Sequence, residues 1–248
     1  MIKNILSGIQ GYVGAFTLLS KLKLWKYFAI PILISVLTAI VIGILAYGLS
    51  DNIGDFLAKI WIWDWGKETV TKITSLVGAI FVLVIGLILY KHIILALSAP
   101  FMSPVSEKIE IHINGGLHQN HRKSSFQEQL IRGIRINFRN LSKELLITIP
   151  ILLLKFIPIV NIFSTILLFL VQAYYAGFGN MDYTLERHLK YKESVDFVER
   201  NKGFSIGNGI VFILCLLIPV MGIIIVLPLS VTAASVKTVE LLNNQKEL

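Results

Sequence analysis

Charge is scarce in this sequence. Of its 248 residues only 15% are Asp, Glu, Lys or Arg, against 55% hydrophobic. An ordinary soluble domain is about 25% charged, so this chain lacks the polar groups to cover a water-facing surface. Cysteine is nearly absent: Cys215 stands alone inside an apolar run, which excludes a disulfide framework and a thiolate metal site. There is no glycine-rich phosphate loop, no dinucleotide fingerprint and no nucleophile elbow. No convergent catalytic set is visible, so no enzymatic activity, cofactor or metal is expected. Acids are outnumbered, 15 against 23 Lys+Arg, for a formal net charge of +8. On an apolar chain such an excess decorates cytoplasmic loops and lipid headgroups rather than binding nucleic acid.

What the chain has is long apolar runs, with a mean hydropathy of +0.73. Residues 28–49 (span 1) and 76–97 each run for about 22 residues, enough at ~1.5 Å per residue to cross a ~30 Å hydrocarbon core. The second span is drawn as 76–101 to take in its end. The first run follows a lead-in bearing Lys3, Lys21, Lys23 and Lys26 and is too long for a signal core. Ala46-Tyr47-Gly48 has cleavage-like spacing, but an uncleaved span is the favoured reading. Residues 1–20 place Ile5, Ile9, Val13, Phe16 and Leu19 on one helical face, with Ser7, Gln10, Gly11 and Gly14 opposite. That pattern predicts an interfacial helix, so 1–27 is an interfacial helix with a basic lead-in. Between the spans, an external loop at 50–75 carries Trp61, Trp63 and Trp65, read as a membrane-boundary anchor or as a stacking platform for a ligand.

The last third has a different rhythm. Residues 145–157 are apolar for only about 13 positions, stop at Pro158 and resume; residues 206–218 repeat this, stop at Pro219 and continue past Pro228. Thirteen helical residues reach only ~20 Å, short of a crossing, and proline breaks the helix at each stop. Two readings fit: two hairpins dipping partly into the bilayer, 145–180 and 206–236, or two kinked single spans. The hairpin reading also explains the similarity of Phe156-Ile157-Pro158-Ile159-Val160-Asn161 to Leu217-Ile218-Pro219-Val220-Met221-Gly222. The expected fold is therefore an all-α integral membrane domain of two long spans and two proline-broken hairpins. A cytoplasmic helical segment at 102–144, a polar loop at 181–205 and a tail at 237–248 complete it. Basic residues in 1–27 and 98–144 place the N-terminus in the cytoplasm.

Arg132, Arg135, Arg139 and Lys143 fall at i, i+3, i+7 and i+11 and stack as one cationic helical stripe. Such a stripe pairs with lipid phosphates, or forms an electropositive entrance that gathers anions at a pore. Lys23 and Lys26, before the first span, read as positive-inside lysines or, with free helix N–H groups, as an oxyanion cradle. Lys91 and His92 close a span, where snorkelling suffices. Lys155, two residues before the break, is a pore-lining candidate; Asn161 and Gln172 line the same path or bond neighbouring helices. Asn180, Asp182, Glu186, Arg187 and His188 read as a surface ion-pair network rather than a metal site. His112, His118 and His121 lie about a Gly-rich loop, in no familiar zinc spacing.

The second span ends Leu97-Ser98-Ala99-Pro100-Phe101 and runs on to Ser106-Glu107-Lys108-Ile109-Glu110. With Pro31, the two Ile-Pro breaks, Pro228 and Asp182-Tyr183, this order resembles the CysZ-type sulfate permeases, a superfamily also named for a eukaryotic etoposide-induced protein. The resemblance implies two spanning helices and two partly inserted hairpins, assembled as a homo-oligomer in the bacterial inner membrane. It implies sulfate or a related oxyanion as cargo, passed inward for cysteine biosynthesis. A non-transporting membrane scaffold of the same superfamily is the alternative. One departure stands out. Where those permeases carry Pro-Gly-apolar-Arg-Arg, this chain has Leu22-Lys23-Leu24-Trp25-Lys26, and lysine lacks the planar fork of arginine. Thr184 likewise follows Asp182-Tyr183 where the family usually has proline.

Overall fold

The structure, a computed structural model, describes residues 1–59, 67–116, 124–154, 157–218 and 221–246. Among these every regular element is helical, as the composition requires. In chain order they are α1 (Ile2–Gln10), α2 (Ala15–Lys21), a 3-10 turn (Leu24–Phe28), α3 (Ala29–Ala58), α4 (Lys67–Leu97), α5 (Ala99–Ile113) and α6 (Phe126–Leu154). Then follow α7 (Pro158–His188), α8 (Tyr191–Arg200), α9 (Lys202–Leu216), α10 (Met221–Ile224) and α11 (Val226–Lys246). Trp61, Trp63, Trp65, His118, His121 and Lys155 lie outside the described residues. The chain forms two compact units, residues 35–91 and residues 1–34 with 92–248.

Within the smaller unit, α3 and α4 pack antiparallel through glycines. A methyl group at Gly86 would collide with Ile42, at Gly78 with Ile53, and at Gly54 with Ser75, so one register rises as the other falls. Close backbone approach is how apolar helices associate without a hydrophobic driving force. Their outer faces, with Leu37, Ile40, Val41 and Ile44 on α3 and Leu76, Ile80, Leu83 and Leu87 on α4, are exposed apolar surface suited to lipid. Both helices outrun the apolar stretches by several turns and extend into the expected 50–75 loop. Hydropathy falls there, yet helical bonding continues, aided by the Glu68–Lys72 pair at 2.8 Å.

The larger unit is built on the antiparallel pair α7 and α9. A methyl at Gly177 would fall on the carbonyl oxygen of Ser205, and one at Gly209 on that of Ala173. Across this seam Ser205 Oγ donates to the Tyr174 carbonyl at 2.7 Å. Asn180 Nδ2 donates to Asn208 Oδ1 at 2.9 Å, and Asn208 Nδ2 to the Ser230 carbonyl of α11 at 3.0 Å. Around the seam Ile136, Phe178, Met181, Leu185, Phe197, Val198, Ala234 and Leu242 form a buried core.

Three expectations are corrected here. Residues 1–20 are not one helix: Gly14, at φ 84°, separates α1 from α2. The packed face of α1 is its small one, since Gly8 and Gly11 lie against α9 and α11 while Val13 and Phe16 stay exposed. The first arm of the 145–180 segment is no independent short helix, because α6 runs unbroken from Phe126 through Pro150 to Leu154. The break at Pro158 is present: Ile157 is extended (φ −94°, ψ 112°) and Pro158 opens α7 at its first position, where its missing N–H is not needed. α9 ends at Leu216, ahead of Pro219, and Pro228 falls in the first turn of α11. Among the described residues, three helical stretches are long and apolar enough to cross a membrane, Leu24–Phe56, Lys67–Leu97 and Val160–His188, against the two long spans expected.

Candidate functional site

α5 carries Ser103, Ser106 and Glu110 at i, i+3 and i+7, a buried polar face on a helix whose outer side bears Lys108 and His112. That face meets the last turns of α7. Arg187 Nη1 donates to the carbonyls of Ser103 and Tyr183, both at 3.1 Å. Its Nη2 donates to Ser106 Oγ at 2.9 Å and Glu110 Oε2 at 3.0 Å. His188 Nε2 stands 3.0 Å from Glu110 Oε1, and Ser106 Oγ shares a 2.7 Å hydrogen bond with Thr184 Oγ1. Burial pushes the Glu110 carboxyl upward, but the hydrogen bonds and charges of His188 and Arg187 override it and bring it down to about 2. The Asp182–His188 cluster is thus a buried network, not the surface network expected. Tyr183 Oη extends it by donating to the Leu95 carbonyl at 2.6 Å.

The cationic stripe of α6 lies partly against α7 and α8, with Arg132 and Arg139 half-buried and Arg135 and Lys143 exposed. Arg132 grips Asp182 with two bonds, Nη2 to Oδ1 at 2.8 Å and Nε to Oδ2 at 3.2 Å. It also donates to the Leu189 carbonyl at 2.8 Å and to Ser194 Oγ at 2.7 Å. Burial opposes its charge, yet Asp182 outweighs that and holds the guanidinium above its ordinary range. Four of its five N–H donors are therefore spent on protein. Arg135 stacks on Tyr191, 4.5 Å from the ring centroid, and Arg139 lies 5.3 Å from that of Phe178 while reaching Glu199 at 3.4 Å. Lys143 is exposed.

The lysines before α3 are different. Lys23, at φ 53°, precedes the 3-10 turn, and Lys23 and Lys26 are both exposed. Lys26 Nζ lies 5.4 Å from the centroid of Tyr27, and Lys108 Nζ of α5 lies 5.7 Å from the same ring. Among the described residues none of these three ammoniums has an acidic partner within ion-pair distance. Two cations drawn to one aromatic ring, with nothing to neutralise them, make a small electropositive site.

Elsewhere, His92 is buried rather than snorkelling: its Nε2 meets Glu144 Oε2 at 3.0 Å, with both side chains nearly sealed from solvent. Asn161 is exposed, its carbonyl accepting from Thr165 Oγ1 at 2.9 Å, and Gln172 is half-buried. Sequence reasoning missed Lys108, Tyr27, Glu144 and the α5 polar face. Only the last had a sequence signal, the i, i+3, i+7 spacing of Ser103, Ser106 and Glu110.

Long apolar helices with lipid-suited outer faces, and charge gathered into a buried network at one end, define a helical membrane protein. Its sequence matches the family described as Sulfate transporter CysZ/Etoposide-induced protein 2.4 over residues 12–226, and the chain belongs to that family. It is similar to proteins named "Sulfate transporter CysZ" from two strains of Pseudomonas aeruginosa, LESB58 and PAO1. Each is 26% identical over 238 residues, covering 93% of both chains.

Proposed function

We propose that this chain passes sulfate, or a closely related small oxyanion, through a bacterial inner membrane as part of a homo-oligomer that supplies sulfur assimilation. The relatives' name supports the cargo. The observation that carries the site is the Lys26–Tyr27–Lys108 cluster with Lys23 beside it, exposed cations with no carboxylate partner among the described residues. An arriving oxyanion screens the mutual repulsion of the lysines and meets their N–H donors. Lysines are point charges, so selection here rests on charge more than on the planar fit an arginine pair would give. Arg132, with four of its five N–H donors already engaged, positions α8 rather than the anion; Arg135 and Arg139 add positive potential. Asn161 and Gln172 line the route along α7.

The reading includes topology. α6 and α7 are consecutive and packed on one another across the Pro158 break. Their far ends are tied by Arg132–Asp182, α5 to α7 by Glu110–Arg187, and α5 to α11 by Asn243 Nδ2 donating to Asn114 Oδ1 at 3.0 Å. In this arrangement α6–α7 and α9–α11 are hairpins that enter and leave on one side, and residues 98–144, 181–205 and the C-terminus face the cytoplasm with the N-terminus.

Sulfate uptake into proteoliposomes tests the function. Flux well above that of empty liposomes is expected, and replacing Lys23, Lys26 and Lys108 with Gln should lower the initial rate about tenfold, the equivalent of ~1.4 kcal/mol. Absence of flux for sulfate, sulfite and thiosulfate alike would sink the proposal. Cysteine labelling at residue 192 and at residue 52 from each side tests the topology; labelling of both from the same face overturns the hairpins.

A further inference from the structure

The outer side of α6 carries one unbroken apolar ridge. Ile131, Ile134, Phe138, Leu145, Ile149 and Leu152 are all exposed. They stand at i, i+3, i+7, i+14, i+18 and i+21, so the ridge follows about 30 Å of helix. At the i+11 position Ser142 turns its hydroxyl back onto the Phe138 carbonyl at 2.9 Å, so its donor is already satisfied. From Leu145 to Leu154 the helix holds no charged residue, and the ridge there is surface suited to lipid tails.

The upper part of the ridge is flanked by the cationic stripe. Arg132 and Arg139 are paired with Asp182 and Glu199. Arg135 and Lys143 are exposed, and neither has an acidic partner among the described residues. Arg135 is held out by its stacking on Tyr191, 4.5 Å from the ring centroid. The acids nearby are committed elsewhere. Glu144 is buried against His92, and Glu193 accepts from the Lys190 N–H at 2.7 Å. Glu128 accepts from the Ser125 N–H at 2.8 Å, seven residues or ~10 Å of helix before Arg135. Asp196 and Arg200, one turn apart on the exposed side of α8, offset one another.

Water alone leaves the ridge bare, and acyl chains alone leave two cations without a counter-charge. A soluble protein partner would reach only the upper part of a ridge that continues into the lipid-suited surface. From the unbroken ridge, the two unpaired cations beside it and the committed acids, we infer that α6 carries a binding site for an anionic phospholipid. The phosphate accepts from Lys143 and lies in the field of Arg135, and an acyl chain runs along Leu145, Ile149 and Leu152. The site is separate from the Lys23–Lys26–Lys108 cluster, and its occupancy does not depend on anion passage.

Native mass spectrometry of the full chain in detergent, titrated with phosphatidylglycerol or with phosphatidylcholine of the same acyl chains, tests the inference without any flux. Phosphatidylglycerol should bind at least about tenfold more tightly. The R135Q/K143Q double variant should lose most of that preference, whereas R135K/K143R, which keeps both charges, should retain it. Thermal midpoints in lipid-free detergent check that each variant is folded, and the comparison of the two lipids on the parent needs no variant. Inorganic phosphate at millimolar concentration, a charge without a tail, should not displace the lipid. The inference is overturned if the two lipids bind equally or if inorganic phosphate displaces phosphatidylglycerol, which would make a free oxyanion the ligand. It is overturned equally if R135Q/K143Q keeps the full preference, and loss of an oligomer in that variant with the preference intact would assign the ridge to a second copy of the chain.

Discussion

Replacing Glu110 with Gln removes the acidic centre of the α5–α7 network. Glu110 accepts from Arg187 at 3.0 Å and lies 3.0 Å from His188, and its side chain is only 4% exposed. Gln keeps the shape and removes the charge, leaving Arg187 with the Ser103 and Tyr183 carbonyls and Ser106 Oγ but no counter-ion. The carboxyl sits at about 2 instead of its ordinary 4.5. At about 1.36 kcal/mol per pKa unit, that depression corresponds to roughly 3 kcal/mol of native-state stability. Because the folded value is the lower one, the contribution is complete above the unfolded value near 4.5 and disappears as pH falls through about 2. More than half of it is gone by about pH 3. In a cooperative unit of this size the loss lowers the unfolding midpoint by roughly 6–12 °C. Thermal unfolding of the detergent-solubilised parent and E110Q, followed by size-exclusion chromatography after heating, measures the difference at neutral pH and in a descending pH series. The gap should be widest near neutrality and narrow below about pH 4.5. A variant indistinguishable from the parent at neutral pH, or a gap that stays constant into acid, refutes the electrostatic account of this network.

Gly209→Val places a branched side chain on the Ala173 carbonyl and should abolish a monodisperse product, while Gly48→Ala, with nothing within 4 Å of its added carbon, should leave expression and midpoint unchanged. Equal behaviour of the two in size-exclusion profiles would show that the α7–α9 seam does not require contact that close. Arg132→Gln deletes the bonds to Asp182, Leu189 and Ser194 and strands a buried carboxylate, a change that costs about 3 kcal/mol. Hydrogen exchange of residues 189–200 should accelerate at least about tenfold against an unchanged α3; unaltered protection would mean that α8 is docked by its apolar face alone.

Local chemistry made part of this protein legible without coordinates. The hydropathy of residues 28–49 and 76–97 marked helices long enough to cross a bilayer, and both lie inside stretches of that kind. The interruption at Pro158 was equally readable, because a missing N–H and a fixed φ act on their own neighbours whatever the rest of the chain does. The order of small motifs from Pro31 to Pro228 was enough to indicate the family. Where the helices end was harder to read. α3, α4 and α6 continue past the apolar runs because a helix needs its backbone bonds and tolerable side chains, not hydrophobicity.

Which charges are free and which are spent was decided only by tertiary structure. Four cations in register along residues 132–143 read alike in sequence, yet Arg132 is consumed by Asp182, 50 residues away, and Lys143 faces out. Tyr183 finds its acceptor 88 residues away in Leu95, and Lys26 and Lys108 meet only through the ring of Tyr27. Helical spacing fixes which residues share a face, but nothing in one helix states what that face will touch. The glycines of α1, α7 and α9 set those approaches by letting backbones come within a methyl's width, and the packing that follows turns an expected surface ion-pair network into a buried one.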